Sequence, residues 1–147
     1  MPENITKLKK QLLNNHILAI SIGLVYLWFG GLKYFPELSP AEDLAKNTIT
    51  SLTFGMIPDN ISIILLAIWE TLIGVLLLLN IYRRQVIIIA LIHMVFTFTP
   101  LFLFSEQSFN NSYFYLTLLG QYIIKNIIII GGLLTLYKLS VTKRRLL

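Results

Sequence analysis

Glu70, His93 and Lys125 are ionisable side chains set deep inside stretches that are otherwise apolar. A carboxylate, an imidazole and an ammonium held together can take and give protons, or polarise a carbonyl or anionic oxygen of a bound molecule. The stretch "GQYIIKNIIII", residues 120 to 130, puts the question most sharply, because its lysine stands in a run suited to lipid. Gln121 and Asn126 flank that lysine, and Lys33 lies near the end of an earlier apolar run. Lys33, Glu70, His93, Gln121, Lys125 and Asn126 are therefore the candidate ligand-binding residues. No catalytic role follows for any of them, and no metal-ligand set is expected. Cysteine is absent, which excludes disulfides, thiolate nucleophiles, iron–sulfur clusters and thiolate zinc sites. Nothing resembles a P-loop, a dinucleotide-binding glycine loop, a hydrolase triad or a metalloprotease helix.

The elements that position these residues are long apolar runs. They extend from Ile17 to Phe35, Ile61 to Ile81, Val86 to Phe104 and Tyr113 to Tyr137, each close to the ~20 residues that cross a hydrocarbon core. Of the 147 residues, 56% are hydrophobic and 13% charged, and the mean hydropathy is +0.74. Soluble core helices of this length need polar faces, and these have almost none. The expected fold is an all-α, integral-membrane four-helix bundle in one domain, with the lipid bilayer as its first partner. The net charge of +5 resides at the ends of the apolar runs, the pattern of a membrane protein rather than of a nucleic-acid binder. The first run is too long for a secretory leader core, so it reads as a retained span.

Basic residues set the orientation. Lys7, Lys9 and Lys10 precede the first run, Arg83 and Arg84 join the second to the third, and Lys138, Lys143, Arg144 and Arg145 end the chain. The other connections are poor in base. Both termini and the Arg83–Arg84 turn are thus expected in the cytoplasm. Tyr34, Tyr82, Tyr113 and Tyr137 read as interface aromatics. In the first outer connection, Ser39, Pro40 and Glu42 match a capping box with proline at the first helical position. A short amphipathic surface helix is expected there over about 40–52, as a lid over helix ends or a gate over a pocket. Gly55 and Pro58 end it, and Asp59 or Asn60 is the expected cap of the next helix.

At 1.5 Å per residue, Glu70 lies roughly 14 Å from the outer end of its run, Lys125 roughly 18 Å from the outer end of its own, and His93 roughly 11 Å from the inner end. Lys33 is shallower and within snorkelling reach of head groups. A mid-depth charge facing lipid is costly, so these groups should face the bundle interior. The match of one deep acid to one deep lysine makes Glu70–Lys125 the expected pair. Periodicity agrees with an interior polar face: Gly23, Tyr26, Gly30 and Lys33 share one stripe, as do Ala67, Glu70 and Gly74. Ala90, His93 and Thr97 share another, and Gln121, Lys125 and Gly132 a fourth. Two readings of that face stay open: polar residues that hold helices in register, or the lining of a pocket for a polar or quinone-like ligand. Haem wants two axial ligands at one depth, and His16 matches His93 poorly. Pro100 should bend the third run by freeing the carbonyl of Phe96, with Thr97 and Thr99 helping to satisfy it.

"LWFGGLKYFP", "WETLIGVLLLL", "FTFTP" and "LGQYIIKNIIIIGGLL", in that order along the chain, resemble the DoxX-like family, and most closely its YkgB-type branch. The resemblance covers about 110 residues, from Gly23 to Leu134. It implies a four-helix protein of the bacterial cytoplasmic membrane, linked to thiosulfate:quinone oxidoreduction or to oxidant resistance, with Lys33, Glu70 and Lys125 carried over. Asn126 stands where the closest branch leads one to expect an aspartate, which removes an acidic neighbour of Lys125. The resulting expectation is a subunit of a redox or oxidant-defence system that binds a small quinone-like or lipophilic ligand near a Glu70–Lys125 pair. A membrane or cytoplasmic oxidoreductase would be its partner. Quinone is the only cofactor this implies. A small oligomeric transporter, or a non-catalytic scaffold for a soluble enzyme, are the alternatives.

Overall fold

Inside an apolar run the backbone amides find partners only within the run itself, and a helix satisfies nearly all of them. The structure, a computed structural model, describes residues 2–110 and 115–145, with side chains over 15–110 and 115–140. The elements are α1 (Pro2–Leu32), α2 (Glu42–Leu52), α3 (Asp59–Leu79), α4 (Arg83–Phe96), α5 (Pro100–Leu103), α6 (Ser105–Ser108), α7 (Leu118–Ile124) and α8 (Asn126–Arg145). Among the described residues the only extended pairing is an isolated bridge between Phe109 and Leu116. Four segments are long and apolar enough to cross a membrane: Asn15–Leu32, Asp59–Leu79, Arg83–Leu103 and Leu118–Ser140. Tyr113 lies outside the described residues, as do the side chains of Lys7, Lys9, Lys10, Lys143, Arg144 and Arg145.

The long helices pack side by side in the cyclic order α1, α3, α4, α8, with α8 returning to α1. Ile22, Tyr26, Ile73, Leu77, Ile87 and Leu133 are among the buried residues between them. Their outward faces are apolar and exposed, as at Ile17, Leu24, Leu65, Leu72, Ile92 and Ile128. Trp28 and Trp69 also point outward. Glycine sets the closest approach, between α1 and α3. A methyl group on Gly30 would sit 2.9 Å from the Thr71 amide nitrogen, and one on Gly74 would sit 2.9 Å from the Gly23 carbonyl oxygen.

Two of the long segments are interrupted. Pro100 ends α4 early, as expected, and the chain turns through Thr97–Thr99 before α5. The Thr99 N–H donates to the Phe96 carbonyl at 3.1 Å, and the Thr97 hydroxyl donates to Met94 O at 2.7 Å. The second interruption, between α7 and α8, falls on Lys125 itself, where a continuous helix was expected. The α7 helix starts at Leu118. Thr117 caps it, accepting from the Gly120 N–H at 3.1 Å and donating to Gln107 O at 2.7 Å. Gly120 lies directly against the Ser108 carbonyl, where no side chain fits.

The short helix of the first connection is present but starts at Glu42, and the expected capping box does not form. Ala41 takes the cap position without a side-chain bond, and the Glu42 N–H donates to Ser39 O at 3.2 Å in a preceding turn. The Glu42 carboxylate instead accepts from the Lys46 ammonium at 2.6 Å and from the Glu37 N–H at 2.9 Å. Lys46, and secondarily that N–H, hold the Glu42 carboxyl below the ordinary glutamate range. Leu44 and Thr48 are buried beneath α2, which packs on α3 and α5. Nor does Asp59 or Asn60 cap α3. Pro58 holds that position, and Asp59 Oδ1 accepts from the Thr50 hydroxyl at 2.7 Å, tying α2 to α3.

At the opposite end, α3 closes over Asn80 in the left-handed region, with the Ile81 N–H donating to Leu76 O at 3.1 Å. Arg83 then donates to Asn15 O at 2.9 Å, and the Arg84 guanidinium lies 5.7 Å from the centre of the Tyr137 ring. The two arginines thus fasten this turn to α1 and α8.

Candidate functional site

Glu70 pairs with Lys33, not with Lys125. Lys33 Nζ lies 2.6 Å from Glu70 Oε2 and also donates to the Phe29 carbonyl at 3.2 Å. Both side chains are buried, at 8% and 11% exposure, so Lys33 does not snorkel outward as its place in the sequence suggests. The cause lies in helix packing. The α3 helix packs against α1, α4 and α2, whereas α8 packs against α4 and α1. Gly30 brings α1 onto Glu70 and Thr71, and Lys33, one turn further on, meets the carboxylate. Lys33 also follows the last residue of α1, where an ammonium is favoured by unsatisfied carbonyls and by the helix dipole. A buried ion pair of this geometry is costly to break from one side, because the remaining charge is stranded.

His93 joins the pair from α4. Its Nε2 lies 3.6 Å from Glu70 Oε1, just beyond hydrogen-bond range. Its ring meets Tyr26 edge to face at 5.6 Å, and the Tyr26 hydroxyl donates to Ala90 O at 3.2 Å. His93 is 8% exposed, and its Nδ1 has no hydrogen-bond partner among the described residues. Such a buried polar atom calls for a partner, since leaving it unmade costs about 1–3 kcal/mol.

Lys125 stands apart from the ion pair. Its ammonium lies 3.8 Å from the centre of the Tyr122 ring and 5.0 Å from that of Phe29, and these two rings meet edge to face at 5.6 Å. Two aromatic faces take the place of the expected carboxylate. Because α7 begins at Leu118, Lys125 lies about 10 Å along its segment, shallower than a start at Tyr113 would place it. Gln121 and Lys125 are both exposed, and Gln121 donates locally to Leu116 O at 3.3 Å, so neither lies on the buried interior face expected of it. Asn126 is half-buried.

A cavity of about 440 Å³ brings Lys33, Glu70, His93, Lys125 and Asn126 to one space and leaves Gln121 out. Leu44 and Thr48 of α2 cover one side, and Leu66, Met94 and Ile129 are among its apolar lining. Its volume falls within the range of small-molecule sites, which are apolar hollows with a few fixed polar groups. Tyr122 and Phe29 also line it and hold Lys125, yet the sequence analysis missed both. The available signal was Tyr122, three residues before Lys125 and hence on its face of a helix. Chemically, the site offers an ammonium, an imidazole nitrogen and an amide to a ligand's oxygen atoms. Its Glu70–His93 neighbours are suited to holding a proton. Compared with protein families, curated proteins and solved structures, the chain has no match.

Proposed function

We propose that this chain is a multi-pass membrane protein that binds a small lipophilic molecule with an oxygen-bearing, quinone-like head, as a subunit of a redox or oxidant-defence system. The observation that carries this reading is the apolar cavity with the Lys33–Glu70–His93 cluster in its wall. Ionisable groups at membrane depth face protein interiors and mark sites of function more often than not. The bilayer part of the reading rests on four apolar segments of spanning length whose exposed faces carry leucine, isoleucine and tryptophan. The redox part rests on the DoxX-like resemblance of the four quoted motifs. In this reading the cavity holds the ligand head against His93 and Lys125, and Glu70, fixed by Lys33, tunes His93 and shares its proton. The basic ends support an orientation with the α2 side outside and the Arg83–Arg84 turn in the cytoplasm.

Thermal unfolding of the protein in lipid nanodiscs tests the reading. Short-chain quinone analogues, or an oxygen-bearing lipophile co-purified from the native membrane, should raise the melting temperature. At a hundredfold excess over Kd the stabilisation is about 2.7 kcal/mol. A Thr48→Trp change, which places a large side chain in the cavity, should abolish the shift while the protein stays folded. Absence of any shift, with no co-purifying lipophile, refutes it.

A further inference from the structure

We infer that the cavity selects lipophilic anions, holding their acidic head at Lys125 and Asn126. This rests on the lipophile-binding part of the reading above and assigns the ligand an acidic head in place of a neutral quinone-like one. The cations in the cavity wall differ in one respect. Lys33 is neutralised by Glu70 at 2.6 Å, whereas Lys125 has no carboxylate within ion-pair reach among the described residues. Its ammonium makes no hydrogen bond to the protein among those residues, and nor does the side-chain amide of Asn126 beside it. The faces of Tyr122 and Phe29 hold the charge in place but accept no conventional hydrogen bond, so its three donors stay available. Lys125 is itself exposed, so this ammonium stands at the open edge of the cavity with one face toward its apolar lining.

A second observation points to a ligand independently. His93 Nδ1 is buried in the same wall without a hydrogen-bond partner among the described residues, which leaves room for a polar ligand atom there. The Lys33–Glu70 pair is already compensated internally, so Lys125 is the cation left to take an acidic head. Ile128, Phe96 and Val25 line the cavity and are also exposed on the outer surface, which gives a lipid-dissolved molecule a lateral way in. A single-chain amphiphile fits about 440 Å³.

Decanoate, decanol, decylamine and a short-chain quinone should be compared by thermal shift, in nanodiscs of zwitterionic lipid. Decanoate is expected to bind at least about tenfold tighter than decanol, the worth of one hydrogen bond to a charged group. Lys125→Gln should erase that preference, bringing decanoate affinity down to that of decanol. Lys125→Arg should keep it, and Arg84→Gln, at the far end of the molecule, should not alter it. Equal affinity for decanoate and decanol in the unmodified protein overturns anion selection and leaves the lipophile site standing. So does a preference that survives Lys125→Gln. If none of the four probes binds, both readings fall.

Discussion

At the scale of single residues, the structure reassigns the charge pairing and so predicts different energetic couplings. Glu70→Gln and Lys33→Met should each destabilise by about 3–5 kcal/mol, because each strands a buried charge. The double variant should cost clearly less than the sum. Glu70→Gln and Lys125→Met should couple much more weakly, since no ion pair or hydrogen bond joins the two side chains. Unfolding in a mild detergent series, read as a pair of double-mutant cycles, measures both couplings. A strong Glu70–Lys125 coupling would contradict the structure. The sequence showed that Glu70 needs a cation, because a lone carboxylate in an apolar run is costly. Counting then chose the wrong one. Lys33 stands at the end of its run and so seemed free to reach the head groups. What no spacing rule contains is the offset between α1 and α3, which sinks the end of α1 to the level of Glu70.

At the scale of elements, glycine spacing was the more informative signal. The glycines of two stripes, Gly23 and Gly30 on α1 and Gly74 on α3, do lie in the α1–α3 contact, and Lys33 meets Glu70 beside it. Gly30→Ala should push the helices apart and destabilise by about 1–3 kcal/mol, the usual cost of overpacking. Gly31→Ala, with open space around it, should be neutral or slightly stabilising. Melting temperatures of the two variants check this, and equal effects would contradict glycine-limited packing. The break before α5 was legible because proline announces it. The break at Lys125 was not, since the isoleucine-rich stretch around it contains no proline and its nearest glycine lies at Gly120. The start of α2 was misread for a related reason. Ser39, Pro40 and Glu42 carry the right letters for a capping box, but Lys46 and the Glu37 amide take the carboxylate that the box requires.

At the scale of the whole molecule, four segments of spanning length were legible from composition and run length alone, because an apolar run of about 20 residues has few other stable uses. The proposed orientation is checked directly in a chain without cysteine. A membrane-impermeant maleimide should label Ser51→Cys on intact cells, and Gln85→Cys only after permeabilisation. The reverse pattern would invert the topology.

The sequence separation of the ion pair also has a consequence for biosynthesis. Lys33 precedes Glu70 by 37 residues, so a ribosome delivers the ammonium first. While α1 is alone in a bilayer, its lysine stands at the end of the helix and can reach water through its own flexible stem. Glu70 has no such refuge, because it emerges in mid-helix. On the proposed membrane reading, it enters a bilayer in which its counter-ion is already waiting. The partner able to tolerate solitude is made first, and the one that cannot is made into company.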